Sequence, residues 1–400
     1  MYFKFKKILL ENKFIYFFNR ATERRKVKKN YNKIVQKYAK LDQHQSINDL
    51  LNNNGFNETW CSKFNNRLMN VLFIGTDEKQ DKSGFVQSLS KYCNLYSFHN
   101  EDGTWGHFRD GNGQFKNGMQ LVNLLENYKN SGNEIDLIIM QCMGKSFCAK
   151  ELNRIKRNYH LKIINIGMDE RLAYYLPTKF GLSQNNGISG LNDCIDLCLT
   201  TCPEVVDWYL KEGVPAIYFP LASSQDFYFP IENKKLYDIG FIGSKYGSRA
   251  EIISFLIDNG INVTCYGPGW DNGLLDISKN NQFYNECKIV LGFGGIGYCE
   301  DFTNPKLRDF EVPLSKSFYI TTKTKELDGL FNDGENIVLY NDRYELLSLI
   351  RFYLDNEKKR NLIANSSYEI AADKHTFDKR FEVLFDGLLT LNFSSNMFYK

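Results

Sequence analysis

Lys306-Leu-Arg-Asp-Phe-Glu311-Val-Pro, followed by Ser317-Phe-Tyr-Ile-Thr-Thr, puts an arginine and a glutamate at the start of a predicted helix, with a short apolar strand just beyond. The unpaired N–H groups and positive dipole density of a helix N-terminus suit a phosphorylated ligand. A carboxylate in that first turn, aimed outward, accepts hydrogen bonds from vicinal hydroxyls such as those of a ribose. Arg308 and Glu311 are therefore candidate contacts for a phosphate and a sugar diol. A second cationic turn, Gly243-Ser-Lys-Tyr-Gly-Ser-Arg249, leads from an apolar strand into a helix. Ser244 can donate to a phosphate oxygen, and Lys245 and Arg249 can pair with its charge. The plainer alternative is an ordinary strand–turn–helix with Ser248 as the cap. Tyr266-Gly267-Pro-Gly-Trp270 is a rigid turn at another strand end, where an aromatic ring could stack on a base.

Gly292-Phe-Gly294-Gly295-Ile-Gly297 fits the G-x-G-x-x-G spacing of a dinucleotide site. Its third glycine should then open a helix, yet Tyr298-Cys-Glu-Asp-Phe-Thr-Asn304-Pro is no helix start, and the run lies deep in the chain. We read it as a flexible glycine loop beside a ligand, with Gly294, Gly295 and Asn304 as candidate contacts. Two further places carry titratable groups: Asp169-Glu170, after the strand ending at Ile166, and the glycine-rich loop Gly103-Thr-Trp-Gly-His107-Phe-Arg109-Asp110. His107 and Asp169 are the candidates for a general base, although a loop histidine is more often simply exposed. Cys194, Cys198 and Cys202 have no histidine partners at ligand spacing, so buried thiols in a reducing cytoplasm account for them better than zinc.

These residues need elements to hold them. From Asn70 onward short apolar runs alternate with helical stretches: 71–75, 135–140, 161–166, 195–199 and 216–219, with helices predicted over 119–128 and 204–211. The pattern pauses at the polar segment 231–235 and restarts with strands at 237–243, 261–266, 288–291, 317–321 and 336–340 and a helix over 249–259. Such alternation predicts parallel sheets with helices on both faces. The organisation expected is a helical N-terminal extension (1–65), a first Rossmann-like lobe (66–232), a second (233–375) and a closing helix and tail (376–400) that crosses back. Predicted C-terminal helices span 344–355, 357–365 and 377–391. A ligand cleft is expected between the lobes.

The net charge of +3 is unevenly spread. Residues 1–40 hold 13 Lys or Arg against 2 Glu, so the arm carries +11 and the remaining chain −8. The arm, residues 1 to about 65, reads as helical in pieces, and its basic segment, interleaved with Phe14, Tyr16, Phe17 and Phe18, is able to lie on an anionic membrane surface. Packing on the body is the alternative, and nucleic-acid binding a weaker one. No apolar run reaches the roughly 18 residues of a membrane span. Met1–Leu10, interrupted by Lys4, Lys6 and Lys7, does not read as a signal peptide.

Asp238-Ile-Gly-Phe-Ile-Gly-Ser244, Arg249, Tyr266-Gly-Pro-Gly-Trp270, Arg308-Asp-Phe-Glu311, Leu330-Phe-Asn-Asp-Gly-Glu335, Tyr353-Leu354 and His375-Thr376 with Arg380 occur in order over about 237–385. Together they resemble the group-1 type glycosyltransferases of GT-B fold, in the CgeB-like (spore-maturation-protein-like) branch. The first lobe resembles that family only through Asp169 and Phe219-Pro-Leu-Ala222. The resemblance implies two Rossmann-like lobes, with a nucleoside-diphosphate sugar held by the second lobe. Glu311 would grip the ribose and Arg249 would face the diphosphate. It also implies an acceptor (glycan, lipid-linked or protein) entering from the first lobe, no cofactor, and no bound metal. The absence of an obvious D-x-D motif agrees with the last point. The chain departs from the family's pair of glutamates spaced by seven residues, because Thr303 stands eight positions before Glu311. The function implied is sugar transfer to an acceptor hydroxyl in surface-glycan synthesis, in the cytoplasm or at the inner face of the membrane. A non-catalytic nucleotide- or glycan-binding module and a nucleic-acid-directed protein are the other classes.

Overall fold

The computed structural model describes residues 13–42, 45–109, 113–176, 185–296, 299–394 and 397–398. The first twelve residues of the basic arm, Asp110, and Gly297-Tyr298 of the glycine run lie outside the described residues. The chain begins with helix α1 (Lys13–Tyr38) and enters a first lobe of β1 (Asn70–Ile74), β2 (Asn94–Ser97), α2 (Gly113–Asn130), β3 (Leu137–Met140), α3 (Ala149–Tyr159), β4 (Lys162–Gly167), β5 (Leu197–Thr200), α4 (Pro203–Lys211) and β6 (Ala216–Tyr218). The second lobe contains β7 (Tyr237–Ile242), α5 (Arg249–Asp258), β8 (Val263–Tyr266), α6 (Asn280–Glu286) and β9 (Cys287–Leu291). It continues with the ribbon β10 (Gly295–Ile296) and β11 (Cys299–Thr303), then α7 (Arg308–Leu314), β12 (Tyr319–Thr322), β13 (Val338–Tyr340) and α8 (Arg343–Asp355). Helices α9 (Glu357–Lys374) and α10 (Phe377–Thr390) close the chain.

The sheet orders are β2-β1-β3-β4-β5-β6 and β13-β12-β9-β7-β8. Every pairing within both sheets is parallel. Their central strands are covered on both faces, which is why Val71-Leu-Phe-Ile74 and Leu137-Ile-Ile-Met140 read as unbroken apolar runs and are wholly buried. In each lobe the strand order reverses beside the first strand, between β1 and β3 and between β7 and β9. The crevice outside the carboxyl ends of the strands at that reversal is where an open α/β sheet binds ligands.

Three connections join the lobes. Residues 219–236 run from β6 to β7 and are held against α6, because Phe229 N–H donates to Asn281 Oδ1 at 3.2 Å and Ile231 N–H to Asn285 Oδ1 at 3.1 Å. Helix α10 returns to the first lobe and buries Phe377, Phe381, Leu384 and Leu388 against a cluster that includes Phe85. The third connection is α1, the longest of the separate helices into which the described part of the 1–65 extension folds. Its Tyr31 ring lies 5.9 Å from Trp208 of the first lobe and 4.7 Å from Phe302 of β11 in the second. Arg24 makes a two-pronged pair with Asp301 at 2.8 Å, and Lys37 reaches Glu212 at 2.7 Å. Residues 24–38 of the basic arm therefore pack on the body. Among the described residues no helix is long and apolar enough to cross a membrane.

Candidate functional site

Gly243 follows β7 at the point where the strand order reverses, and two loops are locked together there. Gly243 N–H donates to Tyr266 C=O at 2.8 Å, and Lys245 N–H donates to Pro268 C=O at 2.8 Å. Trp270 Nε1 donates to Gly243 C=O at 2.7 Å, while the Lys245 ammonium sits 5.0 Å over the Trp270 ring. Gly267, at φ +131°, admits no side chain, because a Cβ would lie 2.4 Å from Gly243 O. Trp270 thus fastens the two turns, with Lys245 on its face where base stacking was expected. The Tyr266 ring packs against Phe283 at 5.1 Å.

Two arginines converge on this junction. A Cβ at Gly243 would stand 2.9 Å from Arg308 Nη1 and 3.4 Å from Arg249 Nη1. Arg249, at the start of α5, is 6 % exposed; its Nη1 donates to Ser244 C=O at 2.9 Å and its Nη2 to the Tyr246 hydroxyl at 3.2 Å. The Arg308 guanidinium lies 4.8 Å over the Phe241 ring, and its Nε and Nη2 are shielded from solvent with no hydrogen-bond partner. Burial and the facing Arg308 push Arg249 down to about 10, so it still carries its charge at neutral pH. Leaving buried donors of a cation unpaired costs several kcal/mol, of order 3–5 when one partner of an ion pair is missing. A polyanion would supply the acceptors.

The rest of this wall is pinned around the arginines. Asp309, adjacent to Arg308, accepts from Tyr319 at 2.7 Å, from Thr321 at 3.0 Å and from Lys306 N–H at 2.6 Å, which fixes the turn into α7. Glu311 is buried, and its Oε2 accepts from the Tyr284 hydroxyl at 2.9 Å. Gly294 N–H donates to Thr322 Oγ1 at 3.2 Å, and Gly295 C=O accepts from the Tyr246 hydroxyl at 3.4 Å. The glycine run continues into the antiparallel ribbon β10–β11 and opens no helix, in line with the case against a dinucleotide fingerprint.

The first lobe supplies the opposite wall. Asp169 follows β4 at φ +56°, and its side chain, about half exposed, lies 3.5 Å from both Lys306 Nζ and Asn304 Nδ2. Asn304 is fully engaged across the cleft: its amide also donates to Thr201 Oγ1 at 3.3 Å, and its oxygen accepts from Arg171 and from Cys202. Arg171 pairs with Glu204 at 2.6 Å, with the buried Glu326, and with Thr303 C=O, tying the lobes together. Glu170 is buried with Oε2 unpartnered, and desolvation pushes it up to about 7.

His107 lies at the first lobe's own reversal point, with Nδ1 3.1 Å from Gly75 O and 3.6 Å from Cys142 Sγ. It is buried, not exposed, and burial pushes it down to about 4, so it is neutral at physiological pH. Cys194, Cys198 and Cys202 are buried free thiols, the second on β5 and the third in the turn before α4.

Residues 249–386 match the Glycosyl transferase-like family model. No curated protein matches the chain. Among solved structures, sucrose-phosphate synthase from Thermosynechococcus elongatus superposes with TM-score 0.57 at 9 % identity, covering 81 % of this chain and all of that one. HepE of Anabaena, in complex with UDP-glucose, gives TM-score 0.55 at 12 % identity, covering 80 % of this chain and all of that one. A glycosyltransferase from Rickettsia africae gives 0.53 at 10 % identity, covering 82 % and 99 %. The fold is GT-B.

In GT-B terms, the arginine junction lies on the C-terminal lobe, and Asp169 and His107 lie on the N-terminal lobe. The structure brings Gly243, Ser244, Arg249 and Arg308 together, with Glu311 and its tyrosine partner behind them. Arg171 and Glu326 of the GT-B cleft were missed by sequence reasoning, as was Tyr284. They are hundreds or tens of residues from their partners and follow no local spacing.

Proposed function

We propose that the chain is a glycosyltransferase that moves a sugar from a nucleoside-diphosphate donor to an acceptor hydroxyl. The observation that carries this reading is the pair of like-charged arginines that meet at the β7 turn, Arg249 buried and Arg308 with two shielded donor nitrogens left without a partner. A diphosphate satisfies them, and their charge would stabilise the leaving nucleoside diphosphate as the glycosidic bond breaks. Glu311, one turn of helix away, fits the ribose end. The match of residues 249–386 to the glycosyl transferase-like family and the GT-B fold support a transferase. HepE, of the same fold, has been crystallised with UDP and with UDP-glucose, which supports a nucleotide-sugar donor. The order of Gly243-Ser244, Arg249 and Arg308-Asp-Phe-Glu311 favours the CgeB-like branch.

The acceptor would enter against the N-terminal lobe, where Asp169 is the better-placed base. It is accessible and held toward Lys306, whereas His107 is buried and has a low affinity for a proton. Its left-handed backbone, a conformation that costs a non-glycine residue energy, agrees with a functional position. The test is a panel of UDP-, GDP-, ADP- and TDP-sugars assayed for release of nucleoside diphosphate and for transfer, with Glu311→Ala and Asp169→Asn alongside. Donor-dependent turnover is expected, with nucleotide affinity weakened by Glu311→Ala and turnover by Asp169→Asn. A ligand at 100 times its Kd stabilises by about 2.7 kcal/mol. Failure of every nucleoside diphosphate to raise the melting temperature at millimolar concentration would refute the donor site.

A further inference from the structure

The consecutive residues Asp169, Glu170 and Arg171 divide their side chains between the lobes. Glu170 is buried in the first lobe, where the Thr200 hydroxyl donates to its Oε1 at 2.5 Å. Arg171 crosses to the second lobe and engages all five of its N–H groups. Nε and Nη2 clasp the two oxygens of Glu204 at 2.6 and 2.9 Å, within the first lobe. Nη2 also reaches Glu326 of the short helix Lys325–Leu330, and Nη1 serves Thr303 C=O and, at 3.5 Å, Asn304 Oδ1. Parting the lobes would strip the last three of these bonds. Asn304 passes the hold on to Asp169: its oxygen accepts from Arg171 while its amide lies 3.5 Å from Asp169 Oδ1. Lys306 Nζ, two residues further on, is 3.5 Å from the same oxygen. Among the described residues the Asp169 side chain has no hydrogen-bond or ion-pair partner in its own lobe, and it is about half exposed, so an incoming hydroxyl can reach it.

We propose that Arg171 is a positioning residue: by clamping segment 303–306 of the second lobe against Asp169, it orients that carboxyl group for proton abstraction only while the lobes are closed. The proposal rests on the reading of Asp169 as the base, and adds to it a device that couples the base to closure. Asp169 takes the proton of the acceptor hydroxyl as its oxygen bonds to the anomeric carbon, and the bond to the diphosphate oxygen breaks with its electron pair on the leaving group. Arg171 touches neither reactant and acts through Asn304 and Lys306. A parted cleft leaves Asp169 without either partner, so activation of any hydroxyl, water included, is confined to the closed molecule.

The experiment follows release of nucleoside diphosphate from UDP-, GDP-, ADP- and TDP-sugars with water as the acceptor, and affinity for the matching nucleoside diphosphate by calorimetry. The full chain is compared as wild type, Asp169→Asn, Arg171→Lys, Glu326→Gln and the double variant Asp169→Asn/Arg171→Lys. Asp169→Asn should lower kcat by about 100-fold or more, the weight of a general base. Arg171→Lys keeps the charge but not the planar fork, and should lower kcat by about 10- to 100-fold, with nucleotide affinity within about twofold of wild type. Glu326→Gln should lower kcat about fivefold by the same route, which covers the case in which Arg171→Lys fails to fold. The double variant should lose no more than Asp169→Asn alone. Wild-type kcat in either folded single variant at Arg171 or Glu326, a further loss in the double variant, or a parallel fall in nucleotide affinity overturns the proposal while leaving Asp169 as the base. Wild-type kcat in Asp169→Asn overturns the base reading and this proposal with it. A wild type that turns over none of the donors overturns the transferase reading beneath both.

Discussion

Replacing Arg249 by methionine separates what the buried arginine does for the ligand from what it costs the fold. Burial and the opposing Arg308 bring Arg249 from the ordinary guanidinium value down to about 10. At about 1.4 kcal/mol for each tenfold change in proton affinity, that is about 3 kcal/mol of stability forgone. The sign follows from the depressed value: the unfolded chain holds this proton more tightly. The cost is therefore present at every pH below about 10 and fades only as the pH rises from there toward the ordinary guanidinium value. Against this relief, Arg249→Met removes two hydrogen bonds, to Ser244 C=O and Tyr246, each worth about 1 kcal/mol net. The ligand-free variant should therefore be about as stable as wild type or more stable by about 1 kcal/mol, because an apolar side chain of similar volume replaces an unpaired buried charge. Binding should move the other way. Loss of charge-assisted contacts to a diphosphate should weaken UDP by about 100-fold. Urea midpoints of the ligand-free proteins and calorimetric titration with UDP check the two halves. A ligand-free Arg249→Met that loses more than about 2 kcal/mol, or that binds UDP as well as wild type does, would refute the argument.

Glu170→Gln should gain stability relative to wild type between pH 5 and pH 8, by up to about 3 kcal/mol, in paired denaturation curves. The raised carboxyl is folded without penalty below 4.5 and loses stability as the pH climbs to about 7. Gly267→Ala should cost more than about 2 kcal/mol and weaken UDP binding as well, because its Cβ meets Gly243 O at 2.4 Å from a left-handed backbone. Thermal denaturation and UDP titration report both effects. Tyr31→Ala should destabilise by about 2 kcal/mol, whereas Asp301→Asn should cost under about 1 kcal/mol, since ring burial outweighs a solvent-exposed ion pair. Equal losses in the two variants' urea midpoints would show that the ion pair holds α1 in place.

The parallel sheets were legible because strands buried on both faces must be apolar throughout, and Val71–Ile74 and Leu137–Met140 are. The arginine junction was legible in part. Gly243–Arg249 and Arg308–Glu311 each carry a local signature of strand end or helix start, but nothing local says that two guanidinium groups separated by 59 positions face each other. Glu311 read as a carboxylate aimed outward; that it lies buried against a tyrosine depends on Tyr284, which no periodicity links to it. His107 read as a loop residue because its neighbours are glycines. Gly106, at φ +79°, turns the chain so that the ring tucks under Gly75. Helix α9 runs to Lys374 and not to 365. Helix α1 conceals its packing in a basic composition: Tyr31 and Tyr38 dock on the body while most of its lysines remain exposed.

The two covalent crossings between the lobes lie side by side: Phe377 N–H donates to Ser223 C=O at 2.8 Å, and Ser223 N–H to His375 C=O at 3.4 Å. They therefore behave as a single hinge. Helix α1 attaches at other points, to Trp208 and Glu212 on one lobe and to Asp301 and Phe302 on the other. Rotation about that hinge must stretch, bend or detach α1, which makes the helix a tether that sets how far the jaws open. In an enzyme limited by the escape of its spent nucleotide, such a tether governs turnover without approaching the bond that breaks. Loosening it through Tyr31 should alter the rate of nucleotide release in stopped-flow before it alters single-turnover transfer.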